Sequence, residues 1–161
     1  MWAPRGQTPV LNHPFNWKKL SICAAVAYRW DGRYYRLFFR IVADSYNDVK
    51  LIDFLAQLRR EFRRNRIILL WDGLPSHRSR LMQRYLTKQK KWLRVVRLPA
   101  YAPDINPVEG VWENISGQEL ANRCADDLGP MVKGVRDGFT RIYSSAELPF
   151  SFLKHAGLSL G

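Results

Sequence analysis

The stretch Ile67-Ile68-Leu69-Leu70-Trp71-Asp72-Gly73-Leu74-Pro75-Ser76-His77 constrains this chain more than any other part of it. Five apolar residues run directly into a carboxylate. The run is too short for a helix. It lies between an arginine-rich segment and a Gly/Pro turn, so it predicts a β-strand over Arg66 to Asp72. Its continuous apolar character predicts a buried strand with a parallel neighbour rather than an edge. A charge at the end of such a strand is costly unless something pairs with it.

The flanking pattern supplies that neighbour. A helix over about 77–91, with Ser76 as its cap, is followed by a short strand over Trp92 to Leu98. Leu81, Met82, Tyr85 and Leu86 form the apolar face of this helix. Arg80, Arg84, Lys88 and Lys91 fall on an adjoining stripe by the same 3.6-residue period. The crossover is expected to be right-handed, which makes the two strands parallel. Upstream, Leu20 to Trp30 and Tyr34 to Val42 predict an antiparallel hairpin turning at Asp31-Gly32. A helix over about 47–63 follows, capped by Ser45, with Leu51, Leu55, Leu58 and Phe62 facing the core. Downstream, Asn106 and Pro107 mark the start of a helix over about 107–121. A last helix is expected over about 127–143, and residues 146–161 show no clear pattern, with a short docking segment as one reading. The order β-β-α-β-α-β-α-α predicts one α/β domain across residues 1–161, a mixed sheet covered by helices.

Composition narrows the function. Hydrophobic residues make up 47% of 161, which excludes a disordered chain. No apolar run approaches the roughly 20 residues of a membrane span, and the start lacks a secretory h-region. The two cysteines, Cys23 and Cys124, make no disulfide framework and are expected to be reduced thiols in a cytoplasmic, nucleoid-associated protein. The net charge of +12 predicts attraction to nucleic acid. Between Asp72 and Asp104 there is no acidic residue but eight Lys or Arg. A second basic run, Arg59-Arg60-Glu61-Phe62-Arg63-Arg64-Asn65-Arg66, precedes the third strand. Each run reads either as a solvated face or as a phosphate-binding surface.

Ligands of open α/β sheets gather beyond the carboxyl ends of parallel strands, where Asp72 lies. Asp104 and Glu109 follow the next strand and can reach the same edge. Each also has a local explanation. Asn106-Pro107-Val108-Glu109 has the form of a capping box, Asp104 follows a proline in a loop, and Asp72 precedes a glycine. Two or three carboxylates in one place repel unless cations neutralise them, and oxygen-only donors suit Mg²⁺ or Mn²⁺. Paired metals of this kind promote phosphodiester cleavage. His77 reads as a locally hydrogen-bonded residue or as a phosphate contact near the site. Trp112 reads as helix packing or as a base-stacking residue, and Arg5 as a solvated loop residue or a DNA contact.

WDGLPSH, followed after 36 intervening residues by the Glu of YAPDINPVEGVW, resembles the catalytic domain of mariner-like DDE transposases, in the branch of the bacterial insertion sequence 630 family. WAPRGQTPVL and the following hairpin are similar to that family too. The resemblance implies a ribonuclease H-like fold, dependence on Mg²⁺ or Mn²⁺, and cleavage and strand transfer of DNA at element ends and target. It carries Asp72 over as the family's second catalytic, metal-binding acid and Glu109 as its third. Asp104 matches a loop position that is often acidic but not catalytic. Gly73 stands where many members have Asn. The family's first catalytic Asp lies on a strand before the WAPRG-like segment, whereas here no Asp or Glu occurs before Asp31. The family's helix-turn-helix region is also not present. The expectation is therefore a transposase fragment without its first strand and first acid: a remnant, one part of a split frame, or a chain with a late start. Such a chain is expected to be inactive alone, with a homodimer or the missing N-terminal part as partner. The alternatives are a catalytically dead DNA- or transposase-binding module and another ribonuclease H-like nuclease.

Overall fold

A computed structural model describes residues 20–99, 102–121 and 128–160. The segment WAPRGQTPVL, Arg5 and Cys124 lie outside the described residues. Strands β1 (Leu20–Tyr28) and β2 (Tyr35–Ala43) pair antiparallel, with Cys23 opposite Arg40 and Tyr28 opposite Tyr35. Helix α1 (Asp48–Glu61) leads to β3 (Ile67–Trp71). A 3₁₀ turn (Pro75–Arg78) and helix α2 (Arg80–Gln89) lead to β4 (Leu93–Arg97), which is parallel to β3. A second 3₁₀ turn (Pro103–Ile105) precedes α3 (Pro107–Gln118), then α4 (Leu128–Ser144) and α5 (Leu148–His155).

Alternation in the hairpin builds three layers. Ile22, Ala24 and Val26 of β1, with Leu37, Phe39 and Ile41 of β2, face a core of Val111, Ile115, Val135, Phe139, Ile142 and Phe152 contributed by α3, α4 and α5. Phe39 stacks flat on Phe139, with ring centroids 4.0 Å apart. The opposite face, with Cys23, Ala25 and Phe38, packs on Leu51, Phe54, Leu55 and Leu58 of α1 and Met82 of α2. Leu69 and Trp71 of β3 reach the same cluster. Hydrogen bonding therefore divides the described strands into two pairs, β1–β2 and β3–β4, tied together through α1 and α2.

Three local expectations need correction. Asp44 takes a positive φ of 89° as the chain leaves β2, and this delays the helix, so Asn47 rather than Ser45 caps α1, accepting from Lys50 N at 2.9 Å. Pro75 tightens the next turn into a 3₁₀ helix, so Ser79 rather than Ser76 caps α2, accepting from Met82 N at 3.1 Å. Strand β3 is parallel, but it is not buried on both faces. Leu69 and Trp71 face α1 and α2, whereas Ile68 is 68% exposed. No described helix is long and apolar enough to cross a membrane.

Candidate functional site

Asp72 follows β3 immediately, and its local geometry is set by the turn after it. Asp72 Oδ1 accepts a hydrogen bond from Leu74 N at 3.2 Å. The 3₁₀ turn brings His77 back beneath it, with Nδ1 2.6 Å from the same Oδ1. A carboxylate only accepts, so the imidazole carries its proton on Nδ1. His77 is buried at 7% exposure, and its ring lies against Trp71 with centroids 3.9 Å apart. Burial lowers the His77 pKa from its ordinary value, and the neighbouring Asp72 partly offsets the shift. At neutral pH the ring is a neutral donor that fixes one Asp72 oxygen. The local hydrogen bonding, one of the two readings of His77 in the sequence, is what these contacts show.

Glu109 comes from α3. Asn106 Oδ1 caps this helix by accepting from Val108 N at 3.4 Å, and Pro107 occupies the first helical position. The reciprocal half of a capping box is not formed, because Asn106 N donates to Pro103 O at 2.8 Å. The Glu109 carboxylate is thus not consumed by capping. Its pKa is raised by burial, then by the negative charges of Asp72 and Glu113. The first parallel crossover and the α3 cap therefore bring Asp72 and Glu109 into each other's field.

Helix α3 is held in place by close packing beside that residue. A Cβ on Gly110 would lie 2.8 Å from Phe152 Cδ1, so only glycine allows α5 to approach there. On the far side, Arg141 of α4 bonds to Glu119 and to Asn114 Oδ1, the latter at 2.7 Å. Trp112 meets Phe139 edge to face, with centroids 5.6 Å apart, which agrees with its packing reading.

Asp104 is exposed on the second 3₁₀ turn and is not among the charges that perturb Glu109. The nearby acid that sequence reasoning passes over is Glu113, one turn beyond Glu109. Its signal is the i, i+4 spacing on a helix. Cys23 of β1 also senses Asp72. Burial pushes its thiol up to about 12, against the lowering effect of Arg40, so it stays protonated at neutral pH. Among the described residues no group of three or more His, Cys, Asp or Glu is arranged to hold a metal. The carboxylates that act on Glu109 through their charge are Asp72 and Glu113. Carboxylate oxygens are hard, anionic donors of the type that suits a divalent cation retaining water ligands.

The basic stripe is only partly continuous. Arg80, Arg84 and Lys88 line a shallow groove of about 500 Å³ together with Gln83 and Thr87. Lys91 is exposed in the turn beyond the end of α2.

Comparison with known proteins gives this geometry a family. Residues 1–131 match the family described as DDE superfamily endonuclease. The Insertion element IS630 uncharacterized 39 kDa protein of Shigella sonnei is 30% identical over 94 residues, which cover 58% of this chain and 27% of that protein. Among solved structures, a Mos1 transposase paired-end complex with left transposon end matches 97% of this chain and 46% of its own, at 22% identity and a TM-score of 0.64. The Mos1 transposase catalytic domain with raltegravir and Mg matches 89% of this chain and 84% of its own, at 19% identity and a TM-score of 0.52. These structural likenesses establish the ribonuclease H-like fold. The chain spans about a quarter of the insertion-element protein and less than half of the full Mos1 chain. The chain belongs to the DDE superfamily endonuclease family.

Proposed function

We propose that this chain carries the Asp72–Glu109 half of a metal-dependent site for DNA strand cleavage and strand transfer, as in DNA transposition. The observation that carries the reading is the approach of two carboxylates from different elements. One is fixed by a neutral histidine, and the other is raised in pKa by its partial burial and then by the charge of the first. Bringing like charges near one another at a partly buried position costs free energy, and a structural role does not call for it.

In this reading Asp72 and Glu109 offer oxygen donors to Mg²⁺ or Mn²⁺. When bound there, such a cation would neutralise the pair and would supply the charge that polarises a phosphodiester oxygen. His77 acts as a positioning residue: its Nδ1–H occupies Asp72 Oδ1 and leaves the second oxygen for a ligand. Arg80, Arg84 and Lys88 give the DNA backbone a basic groove, and Lys91 adds charge beyond it. The presence of transposon-end and Mg or Mn complexes among the Mos1 neighbours supports DNA and divalent metal as the ligands.

A second reading keeps the DNA surface without the chemistry. It is favoured by the limit of two converging carboxylates among the described residues. Incubating the purified chain with labelled element-end DNA and Mn²⁺ separates the two. Cleavage that Asp72→Asn abolishes supports a working site. Salt-sensitive binding without cleavage supports a binding module, or a half-site completed by another segment or chain.

A further inference from the structure

The end of the sheet away from Asp72 has its own chemistry. The β1–β2 turn is closed by Arg29 N donating to Tyr34 O at 2.8 Å, with Gly32 at a φ of +68°. It holds Trp30 at 75% exposure and Tyr34 at 47%. Tyr143 of α4, 56% exposed, lines one depression with Tyr34. Arg33, Tyr34, Tyr35, Tyr143, Ala146 and Phe150 line a shallow depression of about 270 Å³. That is just under the ~300–1,000 Å³ of sites for drug-sized ligands, room for one planar ring.

The platform is built rather than loose. Tyr35 Oη donates to the carbonyls of Tyr143 and Ser145 at 2.7 and 2.8 Å, and its ring meets Phe150 edge to face. Arg36 Nε donates to Tyr34 Oη at 3.0 Å, which fixes the Tyr34 ring.

Charge selects the occupant. Arg36 also pairs with Glu61 at 3.2 Å, which brings the arginine-rich end of α1 beside the turn. Of the acids here, Asp31 and Glu61 are already paired with Arg29 and Arg36, and the exposed Glu147 adjoins Ala146 at the rim, so the arginines remain in excess. Arg33, Arg63 and Arg64 have no side-chain partner among the described residues. Exposed ring faces among uncompensated guanidiniums match a polyanion that presents flat π-surfaces. A duplex hides those faces within its stack, whereas an unpaired strand offers them.

We propose that the β1–β2 tip, with Trp30, Tyr34 and Tyr143 ringed by arginines, is a stacking platform for unpaired nucleic-acid bases, separate from the Asp72–Glu109 site. The separation follows from the strand itself. Cys23 senses Asp72, and the strand runs five residues further to Tyr28, roughly 16 Å at about 3.3 Å per residue, before the turn that carries Trp30.

The test measures binding of the full chain to labelled oligo(dT) and to a labelled duplex, in EDTA so that the carboxylate site plays no part. Stacking of one base on one ring predicts that Trp30→Ala and Tyr34→Ala each weaken oligo(dT) binding by about 5-fold or more. Trp30→Phe keeps a stacking face and is expected to retain most of the affinity. Duplex binding is expected to stay within about 2-fold for all three, since its affinity comes from phosphate contacts. The proposal is overturned if the wild type does not bind oligo(dT), if the alanine variants bind it normally, or if they lose both ligands equally. It is also overturned if Trp30→Ala abolishes self-association in sedimentation while oligo(dT) binding persists, because the patch then covers a second copy.

Discussion

His77 Nδ1 lies 2.6 Å from Asp72 Oδ1, across a turn of only five residues, with the imidazole pressed on Trp71. The turn thus delivers the carboxylate and its orienting donor together. His77→Phe keeps a ring against Trp71 and removes the donor. We expect this variant to fold and to bind Mn²⁺ about 10-fold more weakly, the usual scale for losing an outer-sphere partner. Mn²⁺ electron paramagnetic resonance titration reads the change, and unaltered affinity would exclude a positioning role.

Glu109 makes stability depend on pH in a definite direction. Its folded pKa lies above the ordinary value of 4.5, so between the two values the folded chain binds more protons than the unfolded one. This contribution is fully present below about 4.5 and is lost as pH rises through the folded value. Without metal, Glu109→Gln is expected to gain stability relative to the wild type as pH rises from 4 to 7. Urea denaturation at each pH checks this. A difference between the two chains that does not vary with pH would contradict it.

Buried His77 has the opposite sense. Its folded pKa lies below 6.5, so its contribution is present above 6.5 and is lost as pH falls through the folded value. In His77→Phe, the fall in stability from pH 7 toward pH 5 should be shallower than in the wild type. Thermal melts across that range measure it, and identical slopes would refute the assignment.

Gly110 holds α3 against α5. Gly110→Ala would place a methyl 2.8 Å from Phe152 Cδ1 and 3.2 Å from its Cβ, which a ring rotation cannot relieve. Overpacking of this kind costs about 1–3 kcal/mol. Chemical denaturation should show that loss, and Phe152→Leu should recover part of it. A neutral Gly110→Ala would mean that α5 docks more loosely than its geometry indicates.

Neutralising Arg80, Arg84 and Lys88 together should make the slope of log affinity against log salt less negative by about 2–3 for duplex DNA, near 0.9 for each phosphate left without a cation. An unchanged slope would return the groove to an ordinary solvated face.

Much of this was legible in the sequence because the signals were local. The Ile67–Trp71 run, the Asn106-Pro107 start and the hairpin at Asp31-Gly32 each rest on a few neighbouring residues, and the elements form there. The caps at Asn47 and Ser79 escape a sequence reading because nearby serines compete, and the positive φ of Asp44 and the proline-tightened turn decide between them. The one-sided burial of β3 depends on how the strand pairs are shared among helices, which no local pattern carries. For the proposed site, Asp72 and Glu109 are suggested by topology and motif. The closeness of Glu113 and Cys23, and the donor role of His77, needed three-dimensional placement.

The most direct measurement is Mn²⁺ titration of the wild-type chain, Asp72→Asn, Glu109→Gln and the double variant, read by electron paramagnetic resonance with thermal stability alongside. The wild type should bind and gain thermal stability. Each single variant should lose most of both, and the double variant little more, because the two oxygens serve one ion. Binding that survives both substitutions would contradict a metal site at Asp72 and Glu109.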